Sequence, residues 1–147
     1  MSREYPARPI VGIGVAVLRP GTGVPEVLVV RRGKAPNLGS WALPGGAQEL
    51  GETAADAARR EILEECGLRL GEVQLAANVD SIHRDPDGRV RYHYTIIDFA
   101  ARWQGDEAVA GDDVSEVVWA PVDALAGYRL WSEAQRVIDI ARRLLEL

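Results

Sequence analysis

Apolar and polar positions change period several times along this chain of 147 residues, and each change marks an element. From Ile10 to Leu18 small and branched apolar residues alternate, which predicts a first strand. Pro20, Gly21 and Pro25 punctuate a turn. Glu26 to Arg32 then reads as a second strand around the continuous run Val27-Leu28-Val29-Val30, the expected hairpin partner of the first. Ala35 to Ser40 is a loop. The period next becomes helical, with Ala55, Ala58, Ile62 and Cys66 recurring on one side between Thr53 and Gly67. Thr53 with Asp56 three residues on is a capping-box-like start, and Gly67 is suited to the left-handed conformation that ends a helix. Val73 to His83 and Val90 to Trp103 are two further strands joined by the turn-forming stretch Arg84-Asp85-Pro86-Asp87-Gly88-Arg89. The second of them is dense in β-formers, among them Tyr92, Tyr94, Thr95, Ile96, Ile97 and Phe99. Val117 to Ala120 is a short last strand. From Ser132 to Leu147 the chain is an amphipathic helix with Ala134, Val137, Ile138, Ala141, Leu144 and Leu145 on one side. Strands, a helix, more strands and a closing helix predict an α/β (α+β) fold, a sandwich around a mixed β-sheet.

Composition narrows the setting. With 47 % hydrophobic and 27 % charged residues the chain is globular in class, and its length suits one domain spanning 1–147. No repeat, low-complexity tract or linker interrupts it. A single cysteine, Cys66, excludes an internal disulfide and fits a reducing compartment; its place on the apolar stripe makes it a packing residue. The amino terminus, from Met1 to Pro6, lacks the apolar core of a secretion signal, and no apolar run approaches a membrane span. A cytoplasmic protein with no membrane partner is expected. The net charge of −5 argues against a general nucleic-acid binder, which needs a basic surface to collect phosphates. A small anionic substrate is not excluded, provided that cations are supplied locally.

The helix carries the candidate chemistry. At roughly 100° per residue, Glu61, Glu64 and Glu65 fall within about a 100° arc. Glu64 and Glu65 occupy the last turn, where the helix dipole disfavours acids by roughly 0.3–1 kcal/mol each. Glu61 and Glu65 also repel as an i,i+4 pair. Positive charge must compensate. Arg59 and Arg60 can supply part of it, and a hard divalent cation, bound by carboxylate oxygens and leaving room for water and phosphate, fits better.

The wider pattern is more specific. Gly46, five residues, Glu52, seven more, then Arg60-Glu61-Ile62-Leu63-Glu64-Glu65-Cys66-Gly67-Leu68 matches every fixed position of the Nudix box, here residues 46–68. On this box the chain resembles the Nudix hydrolases, and its lead-in, Trp41-Ala42-Leu43-Pro44-Gly45-Gly46, is similar to theirs. The resemblance implies a Nudix-type α/β/α sandwich and a hydrolase of nucleoside diphosphates linked to another moiety. It implies Mg2+ as cofactor, with Mn2+ a substitute. Glu61, Glu64 and Glu65 are then the metal ligands, joined by a backbone carbonyl in the Gly45-Gly46 turn, and Arg60 and Glu52 brace the loop against the helix.

Outside the box the assignments stay open. A carboxylate from the loop before the last strand often joins in the family; Asp112, Asp113 and Glu116 are candidates to bind metal or take a proton from water, or else are solvated acids. Arg31, Arg32 and Lys34 are either a solvated strand end or a clamp on substrate phosphate, for which the arginine fork is suited. His83 and His93 are either polar residues facing a hydrogen-bond partner or substrate contacts. Asp80 to His93 and the Arg-Arg-Gly-Lys segment resemble bacterial ADP-ribose pyrophosphatase-type members, which points to cleavage of ADP-ribose into AMP and ribose 5-phosphate. The alternatives are a MutT-like nucleoside triphosphate pyrophosphohydrolase and a Nudix domain that senses a nucleotide without cleaving it. Dimers are frequent in the family, so a homodimer is possible.

Overall fold

The computed structural model describes residues 3–35 and 37–147. Met1 and Ser2 of the amino-terminal stretch and Pro36 of the 35–40 loop lie outside the described residues. Strand β1 (Ile10–Arg19) organises the sheet because both of its faces are buried: the alternating run from Ile13 to Leu18 sends its odd residues to one core and its even residues to another. Along one edge β1 pairs in parallel with β6 (Val90–Arg102), and β5 (Val73–Arg84) continues antiparallel beyond it. The other edge is divided. The start of β1 pairs with β4 (Gly45–Ala47), and only Leu18 and Arg19 pair with β2 (Glu26–Arg32).

The expected hairpin is therefore confined to its base, and beyond it β1 and β2 part company. β2 takes its main partner from β7 (Val114–Pro121), at the far end of the sequence, and β3 (Trp41–Ala42) joins it at the divergent end. The fork between β1 and β2 is filled by the segment carrying β3 and β4. Two helices cover the mixed sheet. Helix α1 (Ala54–Cys66) lays Ala57, Ala58, Ile62 and Cys66 on Ile13, Val15, Val17, Leu28 and Phe99. On the opposite face α2 (Ser132–Leu145) lays Val137, Ile138, Ala141 and Leu145 on Ala16, Leu18, Val27, Val29 and Ala100. Burying a side chain of this size contributes roughly 1.5–3 kcal/mol, so these two interfaces dominate the stability of the fold. A single 3-10 turn (Ala126–Tyr128) connects β7 to α2. Among the described residues no helix is long and apolar enough to cross a membrane.

The Gly45-Gly46 pair is extended strand rather than the bend expected from its composition, and neither residue has a positive φ. Glycine is needed for proximity: a Cβ on Gly45 would lie 1.8 Å from the Ile13 carbonyl oxygen. Gly45→Ala should accordingly lose roughly 1–3 kcal/mol in denaturant unfolding, whereas Gly127→Ala, with nothing within 4 Å of the new methyl, should change stability by less than about 0.5 kcal/mol.

Candidate active site

Helix α1 is fixed at both ends. The Thr53 hydroxyl accepts from the Asp56 N–H at 3.0 Å, and Gly67, at φ 68°, closes the helix by donating to Leu63 O. The last turn holds no basic residue. Its carbonyls are met instead by the acidic loop that precedes β7. Val109 N–H donates to Cys66 O at 2.9 Å, Gly111 N–H to Glu65 O at 2.8 Å, and Asp112 N–H to Glu64 O at 3.1 Å. The approach is close enough that a Cβ on Gly111 would sit 2.0 Å from Glu64 O. Three N–H dipoles thus face the negative end of the helix, which offsets part of the cost of placing Glu64 and Glu65 there.

Arg60 ties this helix to the glycine-rich loop. Its guanidinium forks onto Glu52, with Nε–Oε2 at 3.0 Å and Nη2–Oε1 at 2.7 Å, and Nη2 also donates to Ala47 O at 3.0 Å. Nη1 reaches Glu61 Oε1 at 2.9 Å and Glu64 Oε2 at 3.2 Å. The hydrogen bonds from Arg60 hold the Glu52 carboxyl below the usual carboxylate range, helped by the Glu49 N–H at 2.9 Å. In return, chiefly through the bond to Glu52, Arg60 is held more firmly charged than a free arginine.

The other two box glutamates behave differently. Glu65 accepts from the Gly45 N–H at 2.8 Å, yet burial pushes its carboxyl up to about 7; the charges of Glu61 and Asp113 add to the rise while Arg32 opposes it. Glu61 is raised as well, first by burial, against the opposing pull of Arg60. Its carboxylate lies over Gly46, where an added Cβ would come within 2.3 Å of it. Burial thus opposes ionisation of both the Glu61 and the Glu65 carboxyls. As they stand, no three acidic, histidine or cysteine side chains among the described residues close around a common point, because Glu61 and Glu64 are turned onto Arg60. The oxygen-only donors, with a buried carboxyl at Glu65 that an adjacent cation would hold ionised, fit a hard divalent cation, which would compete with Arg60 for Glu61 and Glu64.

Beyond Gly46 opens a cleft of about 600 Å³, with Arg32, His83, Arg84, Arg91, Tyr92 and Tyr94 among its walls. Of the residues singled out from sequence, Arg32 and His83 are here. Arg31 and His93 are not: Arg31 donates to Gly39 O at 3.1 Å and stands 3.8 Å from Glu116, and the alternation of β6 places His93 on the face opposite Tyr92 and Tyr94. Glu116 lies within β7, which begins at Val114, earlier than the sequence suggested. Asp113 pairs with Lys34 at 3.0 Å and is close enough to Glu65 to raise its pKa. Sequence reasoning missed Arg84, Arg91 and the two tyrosines as cleft residues. The signal was the period-two spacing of Tyr92 and Tyr94 opposite His83 and Ser81.

The NUDIX domain model matches residues 8–141. The chain belongs to the Nudix family. Among its relatives, the ADP-ribose pyrophosphatase of Methanocaldococcus jannaschii is 41 % identical over 91 residues, covering 62 % of this chain and 52 % of that protein. The putative mutator protein MutT4 of Mycobacterium tuberculosis is 36 % identical over 107 residues, 72 % of this chain and 42 % of that one. The chain thus spans about half the length of these curated relatives. The crystal structure of a MutT NUDIX hydrolase from Burkholderia pseudomallei superposes with a TM-score of 0.74 at 30 % identity, covering 90 % of this chain and 97 % of that chain. Nudix hydrolases generally use divalent metal ions, in keeping with the acid set on α1.

A carboxyl whose folded pKa is raised makes the fold less stable as pH climbs, and the loss is complete above the folded value. For metal-free protein, Glu65→Gln should therefore increase stability at pH 8, by on the order of 1–3 kcal/mol, and leave it unchanged near pH 4. Added Mn2+ should reverse the order by raising the melting temperature of the wild type alone. Thermal melts with chelator and with metal check both signs.

Proposed function

We propose that this Nudix protein is a magnesium-dependent pyrophosphohydrolase of a nucleoside diphosphate linked to another moiety, with ADP-ribose, cleaved to AMP and ribose 5-phosphate, as its substrate. The observation that carries this reading is the juxtaposition at Gly46, which lies against the Glu61 carboxylate on one side and lines the cationic, tyrosine-walled cleft on the other. A diphosphate in the cleft meets arginine forks where its charge is greatest, and the acids stand at its edge. The 41 % identity to a protein named as an ADP-ribose pyrophosphatase supports the substrate.

Each group has a role in this scheme. Glu61, Glu64 and Glu65 would hold the magnesium. When bound, the metal neutralises phosphate charge and makes water a stronger nucleophile. Arg60 and Glu52 keep the loop and helix in register, so that the carboxylates face the cleft at fixed separation. Arg32, Arg84 and Arg91 bind phosphate oxygens, and His83 contacts the substrate between them. Asp113, whose charge is felt at Glu65 from the loop that caps α1, would accept the proton of the attacking water; Glu116, facing Arg31, is the less suited of the two.

The second reading, a MutT-like nucleoside triphosphate pyrophosphohydrolase, is favoured by the 36 % identity to a protein named as a putative mutator. Incubation with Mg2+ and a panel of ADP-ribose, NADH, dinucleoside polyphosphates and triphosphates separates the readings. AMP with ribose 5-phosphate is expected; a nucleoside monophosphate with pyrophosphate would favour the second reading, and binding without products would indicate a sensor. Glu65→Gln should lower turnover 100-fold or more, about 3 kcal/mol. Near-normal turnover of that variant at saturating magnesium would contradict the assignment.

A further inference from the structure

On the α2 face of the sheet, away from the acids of α1, Asp98 is a second buried acid that the chemistry above does not use. It is only 6 % exposed, and no hydrogen bond or ion pair with a described residue engages its carboxylate. Its oxygens remain open to a cavity of about 200 Å³ between β1, β6 and the start of α2. Burial pushes the carboxyl up to about 6, with Arg136 opposing the rise and Glu133 adding to it. A core position in a strand ordinarily takes an apolar residue, because an unpaired buried acid is costly. Here a second position gives way to it: a Cβ on Gly14 would lie 2.2 Å from Asp98 Oδ1.

The cavity walls indicate what the acid is for. Trp41, Leu43, Val79, Ile96 and Trp131 surround it, so its polar requirement is concentrated at Asp98, with Glu133 nearby. It shares Ile13 and Ile96 with the 600 Å³ cleft and is bounded by Gly45, whose N–H holds Glu65. A ligand filling it must be flat, largely apolar, and able to donate hydrogen bonds to a carboxyl group at one edge. A sugar has hydroxyls that can donate to the acid but is neither flat nor largely apolar, and an ionised phosphate meets none of these demands. An amino-bearing purine meets all three, since aromatic walls suit its faces and its exocyclic N–H groups suit the acid.

We propose that this cavity seats the nucleobase of the substrate and that Asp98 selects an amino-bearing purine by accepting its exocyclic N–H. The proposal rests on the reading of the chain as acting on a nucleoside diphosphate derivative, and it adds the residue that reads the base. Ring stacking would come from Trp41, which is already held edge-on by Tyr128 at 5.1 Å, and from Trp131, half exposed at the mouth.

Titration calorimetry of wild type, Asp98→Asn and Asp98→Leu with AMP, GMP, purine riboside 5′-monophosphate and ribose 5-phosphate tests the assignment. Wild type should bind at least one of AMP and GMP tenfold or more tighter than the amino-free purine nucleotide. Asp98→Leu should erase that preference, Asp98→Asn should weaken it, and neither should alter ribose 5-phosphate affinity. Melting temperatures of the variants should equal or exceed that of wild type. Should both variants bind AMP and GMP within twofold of wild type, or should wild type bind them no better than ribose 5-phosphate, Asp98 does not read the base. Asp98-dependent binding without hydrolysis of any panel compound would leave this assignment standing and overturn the enzymatic reading; hydrolysis of ADP-ribose with Asp98-independent affinity would do the reverse.

Discussion

The guanidinium of Arg60 is the contact on which the site depends. One planar group engages Glu52 through two hydrogen bonds, the Ala47 carbonyl through a third, and the Glu61 and Glu64 carboxylates through two more. Loop and helix are thereby joined by a single rigid fork that a lysine, as a point charge on a flexible stem, could not replace. The two acids that Arg60 touches on α1 are the ones whose positions it constrains most. Glu65, held by the Gly45 N–H instead, has its ionisation opposed chiefly by burial. A cation entering here would meet one acid whose ionisation burial opposes and two that must be drawn away from an arginine.

Close backbone approach is the second constraint. Gly45 lies against Ile13, Gly46 against the Glu61 carboxylate, and Gly111 against the Glu64 carbonyl, in each case at a distance that excludes a side chain. These three glycines are required by proximity rather than by positive φ. They bring three segments distant in sequence, β1, the box loop and the loop before β7, onto the same helix. The divergence of β1 from β2 makes this possible, because it leaves a fork in the sheet that the short strands β3 and β4 can enter.

Stability and chemistry pull against each other at this centre. Glu65 and Asp98, on opposite sides of the β4 segment, are both raised by burial, so the fold is less stable at neutral pH than it would be with neutral groups in their place. The two apolar helix interfaces offset that cost. Tension of this kind collects where ligands bind, since a charge left unsatisfied by the protein is available to a partner.

Local pattern by itself determined the helix from Thr53 to Gly67, its cap and stop, the strand–turn–strand of β5 and β6, the closing amphipathic helix, the sandwich class and the glutamate arc, because each depends on residues within a few positions of one another. The Arg60–Glu52 pairing was legible only through the resemblance of residues 46–68 to the Nudix box, which implies it. Which edges pair was not: β1 meets β6 and β2 meets β7 across long stretches of chain, and period-two alternation marks a strand without naming its neighbour. The same limit hid Arg84, Arg91, Tyr92 and Tyr94 as cleft residues, left His93 level with His83, and gave no hint that Asp98 would end in an apolar cavity. Only the tertiary structure decided these, because the face a strand residue occupies depends on what covers the sheet, and the charge an acid must bear depends on neighbours brought from elsewhere in the chain.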